Sequence, residues 1–417
     1  MRYSRILVID EEIAWPPNTG KRLRTLNLLS CLAREFEIDL LVHGGAVTPE
    51  AQAEMRQRGI TLHLAPTRLP PKSGWRMPLR IAGSLLRGLP YSVYAHMHAG
   101  FQSTLDGLVR SRGYDLVHCE WTPYAVYTRA LEIPVCIAAH NVEFEIWERM
   151  ASAENRPAHR ELFRMQALLM ERFERRVFSQ APFATAVSEN DAATIRQMGT
   201  PEVTVVPNGV DAVAYMPPAV ESSSPRSLVF TGSMDWRPNQ DAIRWFIDAV
   251  HPLLLEEGDY RFHVVGRAPP DWMLDRAAIP AQIVVTGTVD DVRPFIAGAA
   301  VYVVPLRAGG GSRLKILEAL AMGRAVVSTT VGAEGLDLQP GTHVVIEDTA
   351  EGFARAIMAL WDDAARRNAL GANGRSLIEE RYRWEQIAPL QGALWRRAIA
   401  AAGSGRRPPS STRIDHR

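Results

Sequence analysis

Cysteine is scarce: Cys31, Cys119 and Cys136 are the only three in 417 residues, and their separations match no metal-ligand spacing. That excludes a disulfide framework and a sequence-readable zinc module. The three read instead as small buried apolar side chains of a reduced, cytosolic protein. Long apolar runs are missing too, and none approaches the roughly 18 residues that cross a bilayer. The segment 1–5 leads into Ile6–Asp10, an apolar run too short, and without a small-residue cleavage site, to read as a secretory signal. Charge of one sign is not in excess: 47 Lys+Arg stand against 46 Asp+Glu. A whole-surface attraction to nucleic acid is therefore not expected. No Gly-x-Gly-x-x-Gly fingerprint or Walker loop follows an expected strand, which disfavours a nicotinamide enzyme or a P-loop ATPase. Solenoid-length repeats are absent as well.

What is present is an ordinary globular composition, 47% hydrophobic and 22% charged. At roughly 150 residues per domain, the length points to two or three domains. Short β-branched runs alternate with longer amphipathic stretches, the pattern of parallel sheets covered by helices on both faces. Strands are expected at 5–10, 36–43, 60–64, 115–119, 134–140 and 183–188, then at 203–207, 227–233, 261–266, 283–287, 301–305, 325–329 and 343–346. Helices are expected at 21–34, 161–178, 238–256, 312–322 and 349–369. Between them, 211–227 concentrates Pro217, Pro218 and Ser222–Ser224, so the domain junction is placed there. Tyr382, Trp384, Leu390, Leu394 and Trp395 make an apolar face on a last helix, and 403–417 reads as a polar, disordered tail.

The segment 301–335 carries the sharpest chemical signal. A strand leads into Gly309, Gly310 and Gly311, with Ser312 as N-cap, a helix, and Gly323 as its C-cap, before the next strand. The glycines leave amides bare at a helix N-terminus. Arg313 and Lys315 then add cations where the helix dipole disfavours them, which calls for an offsetting anion such as a diphosphate. Leu314 lies between them, and Glu318, one turn on, suits a ribose diol. A companion segment runs from Phe230 to Asn239, where Gly232 and Ser233 follow a strand and Arg237 precedes Pro238 at a helix start. In the first half, Gly20 closes a Pro-rich loop after the first strand, and His140 ends another strand, with His118 and Glu120 on its neighbour. Each piece alone also reads as ordinary structure: a capped turn, a core histidine, a flexible loop before a helix.

Taken together, Ala139-His140-Asn141-Val142-Glu143, Val205-Val206-Pro207-Asn208-Gly209-Val210-Asp211, Thr231-Gly232-Ser233-Met234 and the glycine-rich loop with Glu318 resemble the retaining glycosyltransferases of family 4. The resemblance implies a GT-B fold, two Rossmann-like α/β domains with parallel sheets facing across a central cleft. Residues 1–205 would bind the acceptor and 206–383 the nucleotide sugar, with the helix 384–401 packing back on the first domain. The resemblance and the residue reading together give His140, Glu318 and Lys315 as catalytic candidates, and Gly20, Gly232, Ser233, Arg237, Gly310, Gly311, Ser312, Arg313, Leu314, Lys315 and Glu318 as donor contacts, the parts of Arg313 and Lys315 being read from the residues and not from the family. Of the family's two glutamates, the later falls on Glu318 and the earlier on Gly310. Of the family's Arg/Lys pair for the diphosphate, only Arg237 has a match, and Arg313 with Lys315 is read as the replacement. No metal or other cofactor is implied, and the donor base is expected to be UDP or GDP.

The acceptor signal is one more absence: no Asp or Glu occurs from Met55 to Gln102. Arg56, Arg58, Arg68, Lys72, Arg76, Arg80 and Arg87 are interleaved there with Trp75, Met77, Leu79, Ile81, Leu85 and Leu86. That suits peripheral contact with an anionic membrane or a lipid-linked acceptor, and it equally suits a solvated helix. Surface polysaccharide or lipid-linked glycan assembly in the cytoplasm is the expected setting. A transferase acting on a soluble small molecule, a sugar-nucleotide epimerase of the same fold, and a nucleotide-sugar-binding protein without turnover are the alternatives.

Overall fold

The computed structural model describes residues 3–70, 77–154, 156–217, 224–277, 282–308 and 313–403. The chain divides into two compact units, Met1–Pro207 with Ile387–Arg417, and Asn208–Gln386. Each is built on one all-parallel sheet between helices, the α/β architecture expected of both domains.

In the first unit the strands are β1 (Arg5–Ile9), β2 (Glu37–His43), β3 (Ile60–Ala65), β4 (Leu116–Cys119), β5 (Val135–Ala139), β6 (Phe183–Ala186) and β7 (Glu202–Val205). Their order is β3-β2-β1-β4-β5-β6-β7. Burial explains the β-branched runs: Ile6, Leu7, Val8 and Ile9 have no solvent exposure, as strands covered on both faces require. The chain reverses its direction of growth between β1 and β4. At such a switch point the carboxyl ends of the strands open a crevice suited to ligands.

The second unit repeats the logic with β8 (Ser227–Thr231), β9 (Arg261–Val265), β10 (Ile283–Gly287), β11 (Val301–Val304), β12 (Ala325–Ser328) and β13 (Val345–Ile346). Their order is β10-β9-β8-β11-β12-β13, which puts the switch point between β8 and β11.

All the expected strands are found, most of them a residue or two shorter. Two helices depart further from expectation. The expected 349–369 helix is two, Ala350–Asp362 and Ala364–Leu377, because the Asp363 side chain accepts from Arg366 N–H and starts a new helix. The expected 238–256 helix begins at Arg237 and loosens to a π turn over Phe246–Val250 ahead of Pro252, which has no N–H to donate. Gly323 ends the helix Leu314–Ala321 in the left-handed region at φ 65°, as a C-terminal glycine should. Cys119 and Cys136 are buried, whereas Cys31 is half-exposed on the helix Gly20–Leu32.

The last helix, Trp384–Gly403, places the fully buried Trp395 against Phe36 (ring centres 5.3 Å apart) and His118 of the first unit. No described helix is long and apolar enough to cross a membrane. Of the expected tail 403–417, Gly403 is the final residue of the last helix and 404–417 lies outside the described residues.

Candidate functional site

At the carboxyl end of β8, Gly232 and Ser233 meet the helix that follows β11. The Lys315 ammonium lies 3.9 Å from the centre of the Phe230 ring and donates to Asn239 Oδ1 at 2.9 Å. Asn239 is held in turn by its own Nδ2, which donates to the Ser233 carbonyl at 2.8 Å. A methyl group on Gly232 would sit 2.9 Å from Lys315 Nζ and 2.7 Å from Asn239 Nδ2. The glycine is therefore what lets the amine lie against the strand end. Burial pushes the Lys315 amine well below its ordinary range, and neighbouring Arg313 pushes it the same way.

One turn along, Glu318 Oε1 accepts from the Tyr215 hydroxyl at 3.0 Å. Burial raises the Glu318 carboxyl to about 7, although Tyr215 and Lys315 pull the other way. A cation driven toward neutrality and a carboxyl driven toward protonation lie one helical turn apart, an arrangement that marks a candidate functional site.

Of the residues expected here, Gly232, Ser233, Lys315 and Glu318 come together. Leu314 opens the helix, and Arg313 is buried with Nη2 donating to the Val331 carbonyl at 3.1 Å, so one of its N–H groups serves the protein itself. Arg237 is exposed at the first residue of its helix. Gly309, Gly310, Gly311 and the expected cap Ser312 lie outside the described residues. The sequence reading missed Asn239, Phe230 and Tyr215. Asn239 could have been suspected one residue after Pro238, where a polar side chain opens the helix. Tyr215 stands among linker residues with no periodicity to mark it.

The first unit holds a second constellation, at the ends of β1, β4 and β5. Asp10 and Glu11 follow β1, and the Lys21 ammonium bridges them at 2.6 and 2.9 Å while lying 4.8 Å from the Trp121 ring centre. Burial lifts Asp10 to about 6. Trp121 Nε1 donates to Glu143, and the buried Glu174 accepts from the Glu143 and Phe144 amides at 3.0 Å each. Burial raises Glu174 to about 8. These bonds hold the start of the helix Glu143–Ala153, just beyond His140 and Asn141. His140 Nε2 lies 2.7 Å from the Glu120 carbonyl oxygen, and Glu120 is fully buried between His118 and Thr25. Gly20 is exposed at the first residue of its helix, which Thr19 caps. The loop after β1 is fastened by Lys21 rather than by a bare glycine. Among the described residues, no group of three or more His, Cys, Asp or Glu is placed to hold a metal ion.

Comparison with known proteins follows this division. Residues 19–209 match the family model described as a glycosyl transferase 4-like domain, and 225–363 match the model described as glycosyl transferases group 1. A GDP-mannose-dependent monoacylated alpha-(1-6)-phosphatidylinositol monomannoside mannosyltransferase of Corynebacterium glutamicum is 27% identical over 202 residues, 43% of this chain and 52% of that protein. The chain spans about half the length of the curated relatives it matches. Among solved structures, a sucrose-phosphate synthase from Thermosynechococcus elongatus superposes with a TM-score of 0.71 at 16% identity, covering 95% of this chain and 100% of that one. Anabaena HepE in complex with UDP and glucose superposes with a TM-score of 0.67 at 13% identity, covering 95% and 100%. At such identities the superpositions establish the fold.

Proposed function

Since the chain belongs to the family-4-like glycosyltransferases, we propose that it transfers a sugar from a nucleoside-diphosphate donor to an acceptor hydroxyl with retention of anomeric configuration. The observation that carries this reading is the pairing of half-buried Lys315 and Glu318 at the β8/β11 switch point, each with its charge disfavoured by desolvation. Lys315 receives the diphosphate, with Arg313 adding its charge, and Glu318 accepts from the ribose hydroxyls. HepE of Anabaena, similar in fold, binds UDP and glucose, which supports a nucleotide-sugar donor for this chain. As the anomeric C–O bond breaks, its electron pair stays with the diphosphate, and a preorganised ammonium stabilises that charge where it develops. The acceptor oxygen bonds to the anomeric carbon, and its proton passes to the departing diphosphate oxygen. Domain 1–205 is the acceptor side of this proposal, with His140 directed at the transferred sugar. Charge neutralisation falls to protein cations and helix-end amides, so transfer needs no metal.

For the acceptor we propose a lipid-linked or membrane-surface glycan. On the helix Met77–Leu86, Leu79 is 66% exposed and Leu86 is 88% exposed, with Arg87 next to them. Apolar and cationic groups side by side, within a stretch that lacks acids, suit an anionic interface. Lys72, Trp75 and Arg76 lie outside the described residues. The mannosyltransferase of Corynebacterium glutamicum named above acts, by its name, on a phosphatidylinositol mannoside.

The test is thermal unfolding with UDP, GDP, dTDP and ADP, each with and without magnesium, together with vesicle co-sedimentation at low and high salt. At 100 times its dissociation constant, one nucleotide is expected to stabilise by about 2.7 kcal/mol without metal. Binding to anionic vesicles is expected to weaken with salt. If no nucleotide shifts the midpoint at millimolar concentration, the donor reading fails. If neutral and anionic vesicles sediment the chain equally, the acceptor reading fails.

The pH dependence of nucleotide binding carries a sign. The strong, charge-assisted bonds from both ribose hydroxyls need Glu318 ionised, and its carboxyl sits at about 7. Its ionised fraction, and with it the affinity, therefore rises about tenfold from pH 6 to pH 8. Deprotonation of Lys315 opposes this on the alkaline side, so titration calorimetry is expected to trace a bell. Glu318→Gln is expected to remove the acid limb and leave the alkaline one; an unchanged acid limb in that variant would assign it to another group.

A further inference from the structure

A buried chain of polar groups runs from the last helix to the first unit's site. Trp395 Nε1 donates to His118 Nδ1 at 3.3 Å, and His118 Nε2 lies 2.9 Å from Glu120 Oε2. Glu120 Oε1 accepts from the Thr25 hydroxyl at 2.9 Å, and His140 Nε2 approaches both the Glu120 carbonyl oxygen, at 2.7 Å, and Oε1, at 3.3 Å. Trp395, His118 and Glu120 are each 1% exposed or less.

The donors and acceptors in this chain leave no freedom. An indole N–H can only donate, so His118 Nδ1 must be the accepting nitrogen and the ring proton must sit on Nε2. That proton is directed at a carboxylate. Burial disfavours the Glu120 charge, yet the bonds from His118 and His140 outweigh it and hold the group well below the usual carboxyl range. Ionised Glu120 only accepts, as does its backbone carbonyl, so His140 must carry its proton on Nε2. In neutral His140 the free lone pair is therefore on Nδ1.

We propose that Trp395, His118 and Glu120 form a positioning relay that holds His140 as its Nε2–H tautomer, making Nδ1 the acceptor offered to a substrate hydroxyl. That the hydroxyl belongs to a sugar rests on the glycosyltransferase reading above; the tautomer does not. In this relay the last helix is part of the site, because the indole N–H occupies the one ring lone pair of His118 that faces away from Glu120. The other charged or titratable groups facing Glu120 are Asp10 after β1 and Arg24 on the helix Gly20–Leu32, together with the neutral, buried thiols Cys119 and Cys136.

The test uses the full chain with 15N-labelled histidine. Long-range proton–nitrogen spectra are assigned with His118→Asn and His140→Asn variants. Both rings are expected as Nε2–H tautomers at neutral pH. In Trp395→Phe, which keeps an aromatic ring in the core, His118 is expected to gain a proton at Nδ1 as pH falls from 8 to 5, with the His140 signals moving in step. In sugar transfer, the same variant is expected to gain a new acid limb. Its kcat/KM at pH 6 relative to pH 8 falls about fivefold or more below the wild-type ratio. The double variant Trp395→Phe/His118→Gln leaves no ring to take that proton, so the limb should vanish. His140 found as an Nδ1–H tautomer overturns the proposal. A loss in Trp395→Phe that is equal at every pH, marking lost packing alone, overturns it too. A chain that shows no transfer with any donor sinks the functional reading instead, and the spectra still decide the relay.

Discussion

Lys315→Met is expected to lower kcat/KM for sugar transfer by about 10³-fold, the cost of deleting one preorganised group that meets developing negative charge. The same substitution is expected to make the free protein more stable. Lys315 is a half-buried amine beside the Asn239 amide, the Phe230 ring face, the cation Arg313 and, one turn on, the Glu318 carboxyl. Glu318 favours the charge, but the group still sits well below its ordinary range, so these neighbours together do not return what desolvating the charge costs. Methionine keeps most of the volume and removes the charge, and replacing an imperfectly compensated buried ion by an apolar group commonly gains on the order of 1–2 kcal/mol. Unfolding midpoints and steady-state kinetics on the same preparation decide the matter. A midpoint that falls along with activity would mean that Lys315 is a structural residue. Activity that survives would remove it from the donor site. The opposed signs are what a residue kept for activity rather than for stability should show.

The second large effect belongs to a residue that touches no proposed ligand. Gly266 follows β9, and a Cβ placed on it would lie 1.7 Å from the Gly232 carbonyl oxygen and 2.7 Å from its carbonyl carbon. Both are backbone atoms of the neighbouring strand end, fixed by the bond from Gly232 N–H to the Val265 carbonyl at 3.0 Å. No side chain can swing aside, so Gly266→Ala must displace the strand ends themselves, at a cost of about 3 kcal/mol. The displaced segment carries Gly232, against which Lys315 and Asn239 are set, so the nucleotide-induced shift in midpoint should be lost as well. Gly287→Ala is the control. Gly287 also ends a strand and has φ +69°, but nothing lies within 4 Å of its would-be Cβ. It should cost only about 1 kcal/mol of backbone strain and leave nucleotide binding intact. Equal losses in the two variants would show that the conformation, not the contact with Gly232, accounts for Gly266.

The residues that were legible and those that were not differ in kind. Lys315 and Glu318 could be read because they sit at helical spacing behind a glycine-rich loop, a local pattern with a chemical meaning. Gly232 was read as room for a ligand, and what lies against it in the fold is the Lys315 amine. Arg237 was read as a phosphate contact on its position alone, and it is exposed at its helix start. Asn239 and Tyr215 lie 76 and 103 residues from their partners in the chain, and nothing near either residue in sequence announces the pairing. Trp395 was placed on an apolar face by periodicity. The pattern could not say that its N–H would find His118, 277 positions away.

Alternation of β-branched runs with amphipathic stretches, and glycines where helices begin and end, were enough to specify two parallel α/β sheets, because these are properties of neighbours in the chain. The identities of the half-buried cation and the raised carboxyl were fixed at the same level. Which partner each of them meets, how far burial drives Lys315 toward neutrality and Glu318 toward protonation, and which nitrogen of His140 holds its proton depended on packing. Desolvation and hydrogen-bond direction are set by atoms brought together from distant parts of the chain, and no local pattern encodes them.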